Sequence, residues 1–464
     1  MENKIDHRNR ISTIDKEGGR KWIYAKAPKG FFTNLRNIVA FLLILILVGV
    51  PFLKINGNPL FMFNFPDRIF FIFGIVFWPQ DLILLLLLFL SGFISIFLFT
   101  SLVGRIWCGW ACPQTIFMEN VFRKIEYFIE GGPSQQKKLN KSSWSFQKII
   151  RKSFKHITFF SIAFCVGNLL LAWIIGVDKL YIIITDPPSK HTTGLTIMLS
   201  FAGFFYFIFS WFREQACVLV CPYARLQSVL LDDDSIVVSY DFNRGEDRKS
   251  LATRKKEQSP AGSCIDCNQC VVVCPMGIDI RNGIQLECVN CTACIDACEN
   301  VMQNVSKEKS LIGYTSLNKL KGKGYNFLRN RTYVYSTILI ILLGTFSYFL
   351  YKRPILELMA NRQRGAVYQI LPQNKISNHY IIQLFNKSLH NQNFDIKVLS
   401  HKDVQIIMPG SKKEISSADA FKSHAIVIFP KQANPSGKLS IEFAVTINNK
   451  VIDTFKTNFL VPMK

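Results

Sequence analysis

The sequence is poor in acidic residues, and one long region of it has no cysteine. Asp and Glu number 32 against 55 Lys and Arg, so the formal net charge is +23. None of the 13 cysteines lies in residues 352–464, which excludes a disulfide-stapled domain there. No G-x-G-x-x-G motif follows a predicted strand, so nothing indicates a dinucleotide-binding site.

Long apolar runs are abundant instead, and they predict a membrane protein. A helix needs about 17–25 residues to cross the hydrocarbon. The first run is borderline at 16 residues, although Leu35 extends it. The run 69–78 is too short to cross, and we interpret it as an interfacial or re-entrant piece. The five predicted spans are 38–53, 82–103, 157–177, 194–212 and 333–351.

The positive charge alternates along the chain. Basic residues concentrate in 1–36 and 104–156, whereas the loops 54–81 and 178–193 are balanced. This pattern follows the positive-inside rule, so the basic segments are predicted to be cytoplasmic and nucleic-acid binding is a poor explanation. Residues 352–464 then lie outside, and 12 of the 13 cysteines lie on the cytoplasmic side, which favours metal ligands over disulfides. No small-residue cleavage site follows the first span, so we expect it to remain as an anchor.

The predicted fold is a polytopic α-helical membrane protein with five spans, an inserted bacterial dicluster ferredoxin-like α+β module and a C-terminal all-β sandwich. Six short β-rich runs separated by polar turns indicate the sandwich. The predicted parts are a basic N-terminal segment (1–36), a four-span membrane domain (37–231), a linker (232–262), the dicluster module (263–302), a tether (303–332), the fifth helix (333–351) and the β domain (352–464).

Eight cysteines form two runs with the spacing C-x2-C-x2-C-x3-C. This is the bacterial dicluster pattern, in which the fourth cysteine of each run ligates the other cluster. A zinc site closes with four ligands, so two [4Fe–4S] clusters explain the repeat better. Pro275 follows the first run, but Glu299 replaces the usual proline after the second. The predicted ligands are Cys264, Cys267, Cys270 and Cys298 for one cluster, and Cys288, Cys291, Cys294 and Cys274 for the other.

Two further cysteine pairs follow the second and fourth spans in C-x-x-x-C-P motifs. Their i, i+4 spacing predicts that both sulfurs of a pair share one helix face. The following proline predicts that the helix ends or bends at the second thiol. Arg105 and Arg213 are close in sequence and are expected to lower the pKa of the thiols. The pairs are Cys108 with Cys112, before Pro113, and Cys217 with Cys221, before Pro222.

Three functional interpretations of these pairs stay open beside simple packing of thiols. Soft thiolates suit Cu(I) or a further iron–sulfur cluster, and each pair is also able to cycle between dithiol and disulfide. The dicluster module is attached to membrane helices at both ends of its sequence. This double tethering raises its effective concentration near the four thiols.

These residues resemble the cytochrome c oxidase accessory family, known as CcoG, FixG or RdxA. The resemblance covers nearly the whole chain and is carried by RIWCGWACPQT, FREQACVLVCPYARLQS, SYDFNRGE, the dicluster run, the five spans and the terminal β domain. It implies assembly of a cbb3-type haem–copper oxidase in the bacterial inner membrane by reduction of Cu(II) to Cu(I). It also implies a periplasmic immunoglobulin-like domain, and copper binding by Cys108, Cys112, Cys217 and Cys221.

The resulting hypothesis is that a cytoplasmic donor reduces the two clusters, and that single electrons then pass to copper on the four membrane thiolates. The expected partners are membrane lipid, the electron donor, copper, and oxidase subunits or copper chaperones, with no nucleic acid. Two alternatives stay open. One is a quinol-oxidising membrane subunit of a reductase system, and the other is a non-redox scaffold that holds copper during assembly.

Overall fold

The computed structural model divides the chain into two compact units, which we call the thiol unit and the β unit. The thiol unit comprises the N-terminal stretch up to Val48, Phe89–Leu170 and Ile184–Leu343. The β unit comprises Gly49–Leu88, Leu171–Ile183 and the C-terminal stretch from Gly344. The structure describes residues 12–14, 17–257, 261–324, 326–363, 365, 368–372, 375–400, 404–408, 414–430 and 437–462.

Five helices in the described part of the chain are long and apolar enough to cross a membrane, as the sequence predicts. The helices begin outside the apolar runs, because flanking polar residues continue the helical backbone at the membrane surface. The first therefore has 22 residues rather than 16, and the third begins 11 residues before its predicted span. Their bounds are Phe31–Phe52, Pro79–Val103, Phe146–Ile175, Pro188–Phe212 and Asn330–Lys352.

The run 69–78 belongs to a small sheet in the β unit. Strands Ile69–Ile72 and Ile75–Phe77 pair as an antiparallel hairpin, and Met62–Asn64 adds a third strand. The side chains of Phe71, Val76 and Trp78 are buried in a cluster that includes Phe385 of the C-terminal strands. Packing against the β domain thus accounts for the buried part of this run, and an interfacial position stays a prediction.

The C-terminal strands form an antiparallel sandwich, as predicted. Tyr380, Phe443 and Phe459 are fully buried between the two sheets, and the Tyr380 hydroxyl donates to the Asn458 carbonyl at 2.9 Å. The larger sheet has the order Gln405–Ile407, Ala420–Pro430, Lys375–Asn386, Leu356–Arg362, with Gln369–Leu371 also paired to its third strand. The smaller sheet has the order Asp395–Val398, Lys438–Ile447, Lys450–Leu460. A short ladder joins Gln392–Asn393 to Glu414–Ile415.

The segments predicted as linker and tether pair with each other in the thiol unit. Strand Val237–Tyr240 of the linker forms an antiparallel ladder with Ile312–Thr315 of the tether. The carboxylate of Asp232 forms an ion pair with Arg329, just before the fifth membrane helix. The linker and the tether are thus joined by a strand ladder and by ion pairs. The dicluster module is therefore held more firmly than two flexible connections would hold it.

The described part of the N-terminal segment packs along the dicluster module: the Ser12 hydroxyl donates to the Met276 carbonyl at 2.6 Å, and the Lys26 N–H donates to the Val272 carbonyl at 2.9 Å. The segment leads into a cap of the first membrane helix. The Asp296 carboxylate accepts hydrogen bonds from the backbone N–H groups of Phe32 (3.1 Å) and Thr33 (2.7 Å), and from the Thr33 hydroxyl. These are first-turn donors that have no partner inside a helix. Gly30 is required beside this cap, because a Cβ there would lie 2.4 Å from Cγ of Asp296.

We expect Asp296→Ala to release the N-terminal segment from the module. Loss of an N-terminal capping carboxylate costs about 1–2 kcal/mol, which corresponds to roughly tenfold faster opening of the segment. Hydrogen exchange at the amides of residues 31–34 measures this directly. Asp296→Asn keeps one acceptor oxygen and serves as the matched control. Equal exchange in the Ala variant and the wild type would contradict the capping role.

Candidate metal centres

The eight cysteines of the dicluster module lie in two groups. The pKa of the Cys298 thiol is raised to about 12 by burial and by the nearby thiols of Cys270, Cys264 and Cys267. Burial likewise raises the pKa of Cys274, and its closest thiols belong to the second run, at Cys291 and Cys288. The fourth cysteine of each run thus lies beside the first three of the other run. This is the arrangement that the ligand prediction requires.

Both runs achieve this grouping with the same backbone geometry. In the first run Asp266 and Asn268, on either side of the middle cysteine, have φ of 51° and 55°. In the second run the equivalent residues, Asn290 and Thr292, have φ of 53° and 63°. Left-handed conformations are rare outside glycine, and Asn and Asp tolerate them best. The two turns curl each C-x2-C-x2-C loop, and a helix begins one residue before its third cysteine.

The side chains beside the second run have the chemistry that an iron–sulfur cluster requires. A small cavity there has a lining that is almost entirely sulfur and hydrocarbon. No set of three or more His, Cys, Asp or Glu side chains among the described residues is close enough to hold a single metal ion. Ligands of a [4Fe–4S] cluster surround a cubane and so lie farther apart than those of one ion. The cysteines that line the cavity are Cys270, Cys274, Cys288, Cys291 and Cys294.

The membrane-proximal cysteines lie where the chain leaves its helices. After a short helix, Ile106–Trp110, Cys112 has extended backbone (φ −63°, ψ 126°) and caps a new helix that begins at Pro113. Cys221 has the same role (φ −62°, ψ 111°) before the helix Pro222–Leu230. The predicted break at the second thiol is confirmed. The prediction that each pair shares one helix face is wrong, because proline removes the preceding residue from the helix.

Both pairs nevertheless bring their thiols into one group. Burial raises the pKa of Cys108 to about 11 against the opposing charge of Arg105, with Cys112 and Cys221 nearby. Burial also raises the pKa of Cys217, and the three other thiols contribute to this rise. Arg105 does act to lower the pKa of these thiols, as expected, but burial raises it by more, so the net pKa is above the usual value.

Arg213, which was also expected to act on the thiols, has a different set of partners. Its guanidinium forms ion pairs with Glu126 at 3.1 Å and with Glu214 at 3.6 Å. All three side chains are almost completely buried. Arg213 therefore neutralises buried carboxylates, and only Arg105 faces the thiol group.

The dicluster module packs directly on this group of thiols. Cys108 is buried in one apolar cluster with Cys291 and Val289 of the second cysteine run, and Cys217 packs against the same cluster. The backbone at Gly109 is so close to the module that a Cβ there would lie 2.5 Å from the Val289 carbonyl oxygen. The module is therefore docked on the membrane cysteines, which is a tighter arrangement than the predicted double tether.

Two side chains of the site were not predicted from the sequence. Gln227 is fully buried; its Oε1 accepts from the Cys108 thiol at 3.0 Å, and its Nε2 donates to the Thr100 hydroxyl at 3.1 Å. Trp110 donates from Nε1 to the Tyr314 hydroxyl at 3.1 Å, which links the membrane loop to the tether. Gln227 lies in CPYARLQS, one of the segments that carry the family resemblance. A glutamine beside a cysteine motif has no chemistry that marks it as part of a metal site, so its role could not be predicted.

Family models match three parts of the chain: the second membrane helix with the loop after it, the dicluster region and the C-terminal sandwich. The family model described as "4Fe-4S dicluster domain" matches residues 212–317, and "4Fe-4S binding domain" matches 85–130. The model described as "IG-like fold at C-terminal of FixG" matches residues 346–462. The sandwich described above is thus immunoglobulin-like.

Three relatives cover much of the chain. Nitrogen fixation protein FixG of Rhizobium meliloti is 35% identical over 64% of this chain, which spans 58% of FixG. Protein RdxA of Cereibacter sphaeroides is 31% identical over 81% of this chain and 82% of RdxA. Protein RdxB of the same organism is 28% identical over 86% of this chain and 87% of RdxB.

The apolar helices, the grouped cysteines and the matched iron–sulfur domains define a membrane iron–sulfur electron-transfer protein. Its cofactors are [4Fe–4S] clusters. More specifically, the chain belongs to the FixG/RdxA family.

Proposed function

We propose that this protein reduces Cu(II) to Cu(I) and that copper binds in the group formed by Cys108, Cys112, Cys217 and Cys221. At most two of these thiols are close enough together in this structure to hold one ion. One observation carries the proposal: the four thiols lie together, and two of them, the buried Cys108 and the half-buried Cys217, pack on the cysteines of the second run. Copper bound there is next to an electron source. Thiolate ligands are soft and favour Cu(I) over harder ions, so the site retains the reduced product.

Residues of this chain form both the proposed electron donor site and the proposed copper site. The eight cysteines of the module are the proposed ligands of two [4Fe–4S] clusters, which supply one electron at a time when bound. Around the copper site, Gln227 fixes the Cys108 thiol and Arg105 provides positive charge. Burial of Cys108, which is only 6% exposed, keeps water from the transfer path.

The proposed setting is assembly of a cbb3-type oxidase in the bacterial inner membrane. The alternation of basic and balanced loops supports a cytoplasmic location for the N-terminal segment and the dicluster module, and a periplasmic location for the immunoglobulin-like domain. The family resemblance supports oxidase subunits or copper chaperones as the partners that receive Cu(I).

We expect Cys108→Ser combined with Cys217→Ser to abolish copper reduction. The change removes one thiolate from each motif, and a serine hydroxyl is a poor ligand for Cu(I). The assay adds Cu(II) to anaerobic, dithionite-reduced protein that has been separated from excess dithionite, and detects Cu(I) with a chelator. Cys165→Ser is the matched control, because Cys165 is exposed in the third membrane helix. Unchanged copper reduction in the double variant, with its cluster absorbance intact, would contradict the proposal that these cysteines bind copper.

A third iron–sulfur cluster is the second candidate for the four thiols. The specific observation in its favour is the match of a "4Fe-4S binding domain" to residues 85–130, which include Cys108 and Cys112. Metal content separates the candidates, since two cubanes give about eight irons per chain and three give about twelve. The proposed function requires about eight irons, together with copper binding that is lost in the double variant.

A further inference from the structure

A small cavity in the thiol unit has no part in the proposed copper chemistry. It has a volume of about 110 Å³ and lies where the N-terminal segment, the first membrane helix, the helix Arg123–Glu130 and the dicluster module meet. The volume has space for several water molecules, but it is far below that of sites for drug-sized ligands. A ligand of this cavity is therefore small. The polar residues that line it include Lys26, Arg36, Asn37, Glu119, Lys124 and Tyr127.

The guanidinium of Arg36 lies in the wall of this cavity with one donor unused. Arg36 is only 6% exposed, and its Nη1 donates to the carbonyl of Cys291 in the second cysteine run at 2.7 Å. Its Nε has no hydrogen-bond partner among the described residues. A buried donor without an acceptor destabilises the fold, so a ligand with acceptor oxygens would satisfy it.

Two lysines add further positive charge to the same cavity. Nζ of Lys124 donates to the side-chain oxygen of Asn37 at 3.0 Å, which leaves its charge without a counterion. Burial lowers the pKa of Lys124, and the nearby charge of Arg36 lowers it further. Lys26 supplies the third cation of the lining. Within the described ranges, no ion pair neutralises Lys26, Arg36 or Lys124.

The carboxylates near the cavity are already occupied. Glu119 lies in the lining, but its carboxylate forms an ion pair with the buried Arg123 at 2.9 Å. Asp296 accepts the hydrogen bonds of Phe32 and Thr33 that cap the first membrane helix. Neither carboxylate is therefore free to neutralise the cations of the lining, and the cavity favours an anionic ligand.

The walls of the cavity are held in place before any ligand arrives. The Tyr127 hydroxyl donates to the Ala25 carbonyl at 2.7 Å, and the Lys26 N–H donates to the Val272 carbonyl at 2.9 Å. These bonds fix the N-terminal segment between the helix Arg123–Glu130 and the dicluster module. A ligand would meet donors that are already oriented, which lowers the entropic cost of binding.

We propose that this cavity binds a phosphate group. Guanidinium and ammonium groups form strong charge-assisted hydrogen bonds with phosphate oxygens, and the small volume excludes a nucleotide. Lys26 and Lys124 are exposed, so the cavity is open to water at its rim. Arg36 directly precedes the apolar part of the first membrane helix. The phosphate is therefore either a free ion or the headgroup of an anionic phospholipid, and the site is independent of the copper function.

Equilibrium dialysis with radiolabelled inorganic phosphate tests the site in the purified full-length holoprotein in a non-ionic detergent. Arg36→Gln and Lys124→Gln should each weaken binding about tenfold or more, as expected for a lost hydrogen bond between charged groups. Lys124 is exposed, so Lys124→Gln tests the site even if Arg36→Gln disturbs the contact with Cys291. Lys138→Gln, at an exposed lysine of the neighbouring helix Pro133–Lys141, is the matched control and should bind as the wild type does. Iron content reports whether each variant is intact.

Competition with lipid distinguishes the two sources of the phosphate. Displacement of the labelled phosphate by phosphatidylglycerol, with none by phosphatidylcholine, identifies an anionic lipid headgroup, whereas binding that neither lipid displaces identifies the free ion. Native mass spectrometry counts any phosphatidylglycerol that the wild type retains and that Lys124→Gln loses. Wild-type protein that binds neither phosphate nor phosphatidylglycerol would overturn the proposal. Affinities in Arg36→Gln and Lys124→Gln that equal the affinity of Lys138→Gln would also overturn it, because binding would then reflect the overall positive charge of the chain.

Discussion

Gly109→Ala is expected to stop electron delivery to copper while both clusters remain in the protein. An added Cβ would lie 2.5 Å from the carbonyl oxygen of Val289 and 2.8 Å from Cα of Cys291. Both contacts are with backbone, so no side chain is able to move aside. The second cysteine run must shift away from Cys108, at an overpacking cost of about 1–3 kcal/mol. We expect the rate of copper reduction to fall by at least about tenfold, as misplacement of reacting groups by about 1 Å does elsewhere.

The matched control for this change is Gly203→Ala in the fourth membrane helix. A Cβ at Gly203 meets nothing within 4 Å, so the same substitution there tests the effect of adding a methyl group to a glycine that makes no close contact. Iron content and dithionite reduction should equal those of the wild type in both variants. Wild-type copper reduction by Gly109→Ala would show that close docking of the module is not needed for transfer.

The features that could be predicted from the sequence are those that depend on local sequence patterns. Runs of apolar residues located all five membrane helices, because crossing the bilayer requires an uninterrupted apolar stretch. Short β-rich runs located most strands of the sandwich. The cysteine spacing also predicts that Cys274 and Cys298 exchange places between the two clusters, since the tight loop leaves space for only three ligands. Each of these thiols lies near the opposite run, and the ligand assignment itself stays a prediction.

The errors concern contacts between residues that are far apart in the chain. The packing of the run 69–78 against the β domain was not predicted, because its apolar partner, Phe385, lies some 300 residues away. The docking of Gly109 on Val289 and the capping of the first helix by Asp296 likewise have no local signature. The effect of Arg213 was mispredicted because proximity in sequence to Cys217 says nothing about competing carboxylates such as Glu126.

Taken together, these contacts arrange twelve cysteines as three successive groups. The group that contains Cys298 packs in an apolar cluster with Cys264 and Cys270. The group that contains Cys274 packs with Cys108 of the membrane-proximal group. Under the proposed function, electrons for copper leave from the group of Cys274, and the proposed cluster of Cys298 is one step farther away.

This order predicts opposite results for the fourth cysteines of the two runs. Cys274→Ser and Cys298→Ser are each expected to lose one cluster, leaving about four irons per chain. In Cys274→Ser the lost cluster is the one beside the copper site, so dithionite-reduced protein should no longer reduce Cu(II). In Cys298→Ser that cluster remains, and copper reduction should persist.

The comparison distinguishes exchanged from unexchanged fourth ligands, because the two variants differ only in which run loses its last cysteine. If each run instead held its own cluster, Cys298→Ser would remove the cluster beside copper, and the two outcomes would be reversed. Iron analysis and electron paramagnetic resonance of the reduced proteins report which cluster remains, and the Cu(I) chelator assay reports transfer. Copper reduction that persists in Cys274→Ser and disappears in Cys298→Ser would contradict the exchange of ligands, since Cys274 lies beside Cys288 and Cys291 in the structure.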